Sequence, residues 1–151
     1  MKIESIILKG KLICINQLYN VVNESMNKNS KYILLYRGSR DGFNASNFHE
    51  KCDNKGCTLI VVKAEGSNSI FGGFTNLNWN QSGKWQKGDP KNNFLFNYEN
   101  SKFQKLDLFQ NHDYTIRGIS LNGPAFGSNN DLQINSNMKS NLNYSNLGGS
   151  Y

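Results

Sequence analysis

Proline, cysteine and histidine are scarce in this chain of 151 residues, with two, three and two of each. Three cysteines, odd in number, make a disulfide framework improbable and point to a reducing compartment, the cytoplasm. With so little proline and 12% aromatic residues, an intrinsically disordered chain is not expected. No run approaches the roughly 18 apolar residues of a membrane-spanning helix. Near the start, the one apolar run is Ile6-Ile7-Leu8, between Glu4 and Lys9. It is shorter than a signal-peptide core. Familiar catalytic signatures are missing too: there is no phosphate loop, no G-x-G-x-x-G, no G-x-S-x-G elbow and no H-E-x-x-H.

Charged residues make up only 19%. Asn, Ser and Gly fill the gap, and about one residue in six is Asn. The asparagines are spread between apolar runs and form no blocks, so the chain reads as one globular domain. A chain of this length buries roughly two-thirds of its unfolded surface. The net charge is +6, which favours acidic partners. The lysines are scattered, however, and the densest group, Lys84, Lys87 and Lys91, falls in a Gly- and Gln-rich loop.

The periodicity predicts a helix over 11–27, from Leu12, Ile15, Leu18, Tyr19, Val22 and Met26. A polar break at Asn27–Ser30 follows. Tyr32–Tyr36 is a continuous β-prone run and predicts a buried strand. Gly38-Ser39-Arg40-Asp41-Gly42 predicts a turn-rich loop. A short helix over 45–52 is expected, with Asn44 as its cap and Phe43 and Phe48 at hydrophobic-staple spacing. Asn54 or Gly56 is available to end it in the left-handed region. Thr58–Val62, Ile70–Phe74 and Phe94–Tyr98 predict strands, with more near Lys105–Phe109, Tyr114–Ile119 and Asp131–Ile134. Phe94, Phe96 and Tyr98 read as core-facing.

Gly72-Gly73 inside a strand implies a bulge or a close backbone approach. His49, Cys52 and Cys57 are the one cluster of metal-ligand types. Their spacing fits no zinc site, and Cys14 and His112 are remote. Cys52 reads as a small core residue, and His49 as a polar residue on a half-buried helix.

Leu34-Leu35-Tyr36-Arg37-Gly38-Ser39-Arg40-Asp41-Gly42-Phe43, continued by Ala45, Phe48-His49, Cys52-Asp53 and Lys55-Gly56, resembles the TLDc domain of the oxidation-resistance proteins. Ile70-Phe71-Gly72-Gly73-Phe74-Thr75 followed by Trp79, Phe94-Leu95-Phe96, and Gly123-Pro124-Ala125-Phe126-Gly127 followed by Asp131-Leu132 agree in order and spacing. Cys57 stands where many members have Pro. The resemblance covers about 30–151, which leaves 1–29 as a helical entry segment. The family continues beyond the position of Tyr151, so the resemblance implies a C-terminally truncated domain without its last strand or strands.

The resemblance implies an α+β, mainly β fold: an antiparallel β-sandwich with flanking helices. It also implies a monomeric, non-catalytic interaction domain in oxidative-stress protection. The partner would be a protein, with the vacuolar-type proton pump as the family's example, and neither nucleic acid, cofactor nor metal is expected. A thiol-based antioxidant enzyme and a basic lipid- or nucleic-acid-binding module are the alternatives. Gly38, Gly42, Phe43, Phe48, Phe71, Gly72, Gly73, Gly123, Pro124, Phe126 and Gly127 are expected to serve the fold. Arg37, Arg40 and Asp41 are the candidate binding residues, either paired among themselves or facing a partner.

Overall fold

A computed structural model describes residues 11–26, 31–63, 65–108, 112–128, 130–135 and 151. Helix α1 spans Leu12–Met26. Its buried line is Cys14, Leu18 and Val22, at i, i+4, i+8 spacing, so Cys14 belongs to the apolar stripe. A single helical turn, α2, spans Gly38–Asp41, and α3 spans Ala45–Cys52. The strands are β1 (Thr58–Lys63), β2 (Ile70–Thr75), β3 (Trp85–Gln86), β4 (Asn93–Glu99), β5 (Lys102–Asp107), β6 (Ile116–Arg117), β7 (Ala125–Phe126) and β8 (Leu132–Gln133).

They form two antiparallel sheets of four strands, in the orders β1-β2-β4-β5 and β3-β6-β7-β8. The first sheet is buried on both faces. Ile70, Phe74, Phe94, Phe96 and Tyr98 pack with Cys14, Leu18 and Val22 of α1. The alternate residues, Ile60, Val62, Phe71, Leu95 and Leu106, pack with Phe126 and Leu132 of the second sheet, with Ile134 just after β8, and with Phe48 and Cys52 of α3. The expected α+β sandwich with flanking helices is therefore the fold: α1, then the first sheet, then the second sheet with α3 beside it. Phe94, Phe96 and Tyr98 face the core, as their alternation predicts.

Gly72 and Gly73 let neighbouring groups approach the β2 backbone closely. A Cβ at Gly73 would lie 2.8 Å from both Phe126 and Leu95, and one at Gly72 would strike the Ile60 carbonyl and crowd Phe96. The missing side chain at Gly73 lets Phe126 of the opposite sheet settle against the β2 backbone.

Several expectations change. Residues 32–36 belong to no strand, with Ile33 74% and Leu34 46% exposed. β-propensity is realised only where a partner lies alongside, and no described strand pairs with this segment. Gly38–Asp41 is a helical turn and not a loop, closed by Gly42 at φ 98°. Phe43 and Phe71 are half-buried, not fully core. The strands expected over Tyr114–Ile119 and Asp131–Ile134 shrink to two residues each, while β5 starts earlier, at Lys102. The polar break at 27–30 and the strand end at Phe109 lie outside the described residues.

Phe126 is fully buried, so Phe126→Ala should cost about 3–5 kcal/mol in urea unfolding. Half-buried Phe71→Ala should cost less. A Phe126→Ala loss under about 1 kcal/mol would contradict this packing.

Candidate functional site

The candidate residues meet at the α2 corner. Arg37 enters the turn with extended backbone, φ −144°. Its N–H donates to Asp41 Oδ2 at 2.8 Å. Arg40 grips the same carboxylate as a fork, Nε to Oδ1 at 2.7 Å and Nη2 to Oδ2 at 2.8 Å, and Nη2 also donates to the Leu35 carbonyl at 3.1 Å. The Tyr36 hydroxyl donates to the Gly42 carbonyl at 2.7 Å. Asp41 thus joins both ends of the turn. Its side chain is 12% exposed, against 42% for Arg40. All three candidate residues come together, with Arg40 and Asp41 paired to each other and Arg37 contributing its backbone. Burial of the Tyr36 ring pushes its hydroxyl up to about 12.

Glycines hold the corner's shape. A Cβ at Gly38 would lie 2.6 Å from the Phe43 ring. Gly42 has the positive φ that L-residues avoid and faces the Asn47 side chain. At the start of α3, Asn47 Oδ1 accepts from the Asn44 N–H at 3.2 Å, the reciprocal half of a capping box.

A second cluster lies under α3 and was not foreseen. His49 is buried. Its Nδ1 lies 2.7 Å from Asp53 Oδ1, and its Nε2 lies 3.0 and 2.9 Å from the Ile119 and Asn122 carbonyls. Both ring nitrogens face oxygen acceptors only. The ring can donate on both sides only when doubly protonated. Asp53 Oδ2 accepts in addition from Gln81 Nε2 at 3.0 Å. His49 therefore fastens α3 to the 119–122 turn, seventy residues away in sequence. Nothing local in the sequence marks these carbonyl partners; the i, i+4 spacing of His49 and Asp53 is the one local signal for this cluster.

The thiols are scattered. Cys14 and Cys52 are buried and Cys57 is exposed. Burial pushes the Cys14 thiol up to about 11 and the Cys52 thiol up to about 12. The Cys57 thiol lies 3.7 Å from the Met26 thioether. Among the described residues, no cluster of His, Cys, Asp or Glu is arranged to hold a metal ion, and no helix is long and apolar enough to cross a membrane. Gly123 and Pro124 pair by backbone with Ile134. Gly127, at φ 78°, leaves the space that the Asp131 carboxylate fills.

The fold and this corner define a class: a mixed sandwich whose α2 corner braces a strand-free segment beside the core. The family model described as the TLDc domain matches residues 1–151. The chain belongs to the TLDc domain family. No curated protein matches it.

Two measurements check this geometry. The hydrogen bond from Arg40, then the one from the Arg37 N–H, holds the Asp41 carboxyl down from 3.8 to about 2. The folded value lies below the unfolded one. The stabilisation is therefore complete above the ordinary carboxylate range and is lost as pH falls through about 2. Carbon NMR should place the Asp41 midpoint near 2 and move it towards 3.8 in Arg40→Gln. For the clasp, His49→Leu strands buried acceptors and should cost about 1–3 kcal/mol in denaturant unfolding. His49→Gln should recover part of that.

Proposed function

We propose that the chain is a non-catalytic interaction domain of the oxidative-stress response, working in the cytoplasm through a protein partner. Within the family's repertoire, the vacuolar-type proton pump is the partner to test. The observation that carries this reading is how the corner is built. Asp41 is spent on bracing the turn, while Arg40 remains almost half exposed at its rim. A planar guanidinium held by a fixed carboxylate is a pre-oriented donor for a partner's acidic group. A loop between two rigid elements is a suitable place to present it.

A thiol peroxidase needs a thiolate, stabilised by nearby positive charge and open to solvent. Burial drives Cys14 and Cys52 the other way, and each is enclosed in a core cluster. The protective role, on this reading, is exerted through binding and not by consuming oxidant.

The test is paired. Arg40→Ala should lower the melting temperature slightly, because its brace on Asp41 is lost, and should weaken retention of purified pump subunits by more than that loss explains. A fall in melting that accounts for the lost binding would make Arg40 structural and remove it from the interface. Cys14→Ala, Cys52→Ala and Cys57→Ser combined should leave the peroxide survival of cells intact at equal protein level. Loss of protection in that variant would return the activity to a thiol.

A further inference from the structure

The outer face of the β3–β6 pair carries a cluster that the TLDc motifs do not account for. Trp85 and Arg117 are direct cross-strand partners. The Arg117 guanidinium lies 5.6 Å from the Trp85 ring centre, and its Nε donates to the Gly83 carbonyl at 2.8 Å. Tyr114 packs edge-on against Trp85, with centroids 5.9 Å apart, and is 41% exposed. The adjacent carboxylate, Asp113, is taken by Lys87 at 2.8 Å. Arg117 makes no ion pair among the described residues, and its two terminal nitrogens have no hydrogen-bond partner there.

This arrangement is more than a solvated arginine. The contact with Trp85 and the Nε bond restrain the guanidinium, so the terminal nitrogens form a positioned donor fork. Such a fork fits a carboxylate with two parallel hydrogen bonds. Trp, Tyr and Arg are also the residue types that dominate binding energy at interfaces. A nucleobase fits less well. Base recognition needs an open aromatic face, and one face of Trp85 is already covered by Arg117. Asp113, next to Tyr114 in the chain, is already paired with Lys87.

We propose that Arg117, Trp85 and Tyr114 form a docking site for an acidic segment of a partner protein. An Asp or Glu carboxylate would sit on the Arg117 fork, with a neighbouring apolar side chain against Trp85 and Tyr114. The net charge of +6 favours the approach of such a segment. This site is separate from the α2 corner and does not depend on any role in oxidative stress.

The probe is an array of synthetic peptides that place Asp or Glu one to three positions from Leu, Phe or Tyr, each with an Asn or Gln twin. The full-length chain should be retained by acidic members and not by their twins. In a titration of the isotope-labelled chain, the best peptide should shift the Trp85 indole and Arg117 Nε–H resonances and saturate. The Trp79 indole, which is buried, should stay in place and serves as the check on folding. Arg117→Lys keeps the charge but loses the fork, and should bind at least about tenfold more weakly. Trp85→Leu should weaken binding as well. Equal retention of the neutral twins, binding unchanged in Arg117→Lys, or stronger shifts of the same resonances by oligouridylate would each overturn the proposal.

Discussion

The column of rings Phe48, Trp79 and Phe126 is the contact on which the other placements rest. Trp79 is fully buried, with its centroid 5.6 Å from Phe48 and 5.4 Å from Phe126. Its indole N–H donates to Thr58 Oγ1 at 2.7 Å, so a large apolar body is buried without an orphaned donor. One side chain from a loop thereby joins α3, the start of β1 and the second sheet. Phe126 reaches this position only because Gly73 has no side chain. Tyr36 extends the column past Phe48 and Tyr151 extends it past Phe126. The α2 corner is thus tied by an edge-on ring contact to the centre of the molecule.

A chain with 37% hydrophobic residues sustains three layers because its polar residues are also used inside. Thr75 and Asn93 are fully buried and bond to each other at 2.6 Å. Asn93 reaches on to Asn76 and to the Asp89 carbonyl. Buried Thr115 accepts from the Gly88 N–H and donates to the His112 carbonyl. The long connection from β2 to β4 has little regular structure of its own. These side chains supply the hydrogen bonds that strand pairing would otherwise provide. Asparagine and threonine therefore do here what apolar residues do in a more ordinary core. The low hydrophobic content marks a change in how the core is closed, not its absence.

Long elements with a clear period were legible in the sequence. Helix α1, helix α3 and the strands β1, β2 and β4 all carry periodic apolar residues and flanking breakers. What failed was information held by a distant partner. Tyr32–Tyr36 has strong strand chemistry, but strand formation depends on a neighbour that no local pattern announces. The strands β3, β6, β7 and β8 have two residues each, too few for any periodicity. The candidate corner was legible as a cluster because Arg37, Arg40 and Asp41 are close in sequence, though not which of them would pair. His49 was the opposite case, since its acceptors at 119 and 122 are carbonyls that any sequence would supply.

The division of labour within the motif residues bears on where partner choice resides. Gly38, Gly42, Gly73 and Gly127 make room or adopt turns, Phe48 and Phe126 fill the core, and Asp41 and His49 close backbone ends. A residue committed to the scaffold is poorly free to vary with a partner, because changing it disturbs the fold before it alters recognition. Specificity is easier to place on side chains that the scaffold positions but does not need. Arg40 is a mixed case: its fork braces Asp41 while part of it faces solvent. Arg117 is the cleaner case. Its guanidinium lies over Trp85 and its Nε is held by the Gly83 carbonyl, while its terminal nitrogens have no hydrogen-bond partner among the described residues. The same core that fixes the TLDc architecture thus holds β6 in register with β3, and this register sets a charged fork on an aromatic surface.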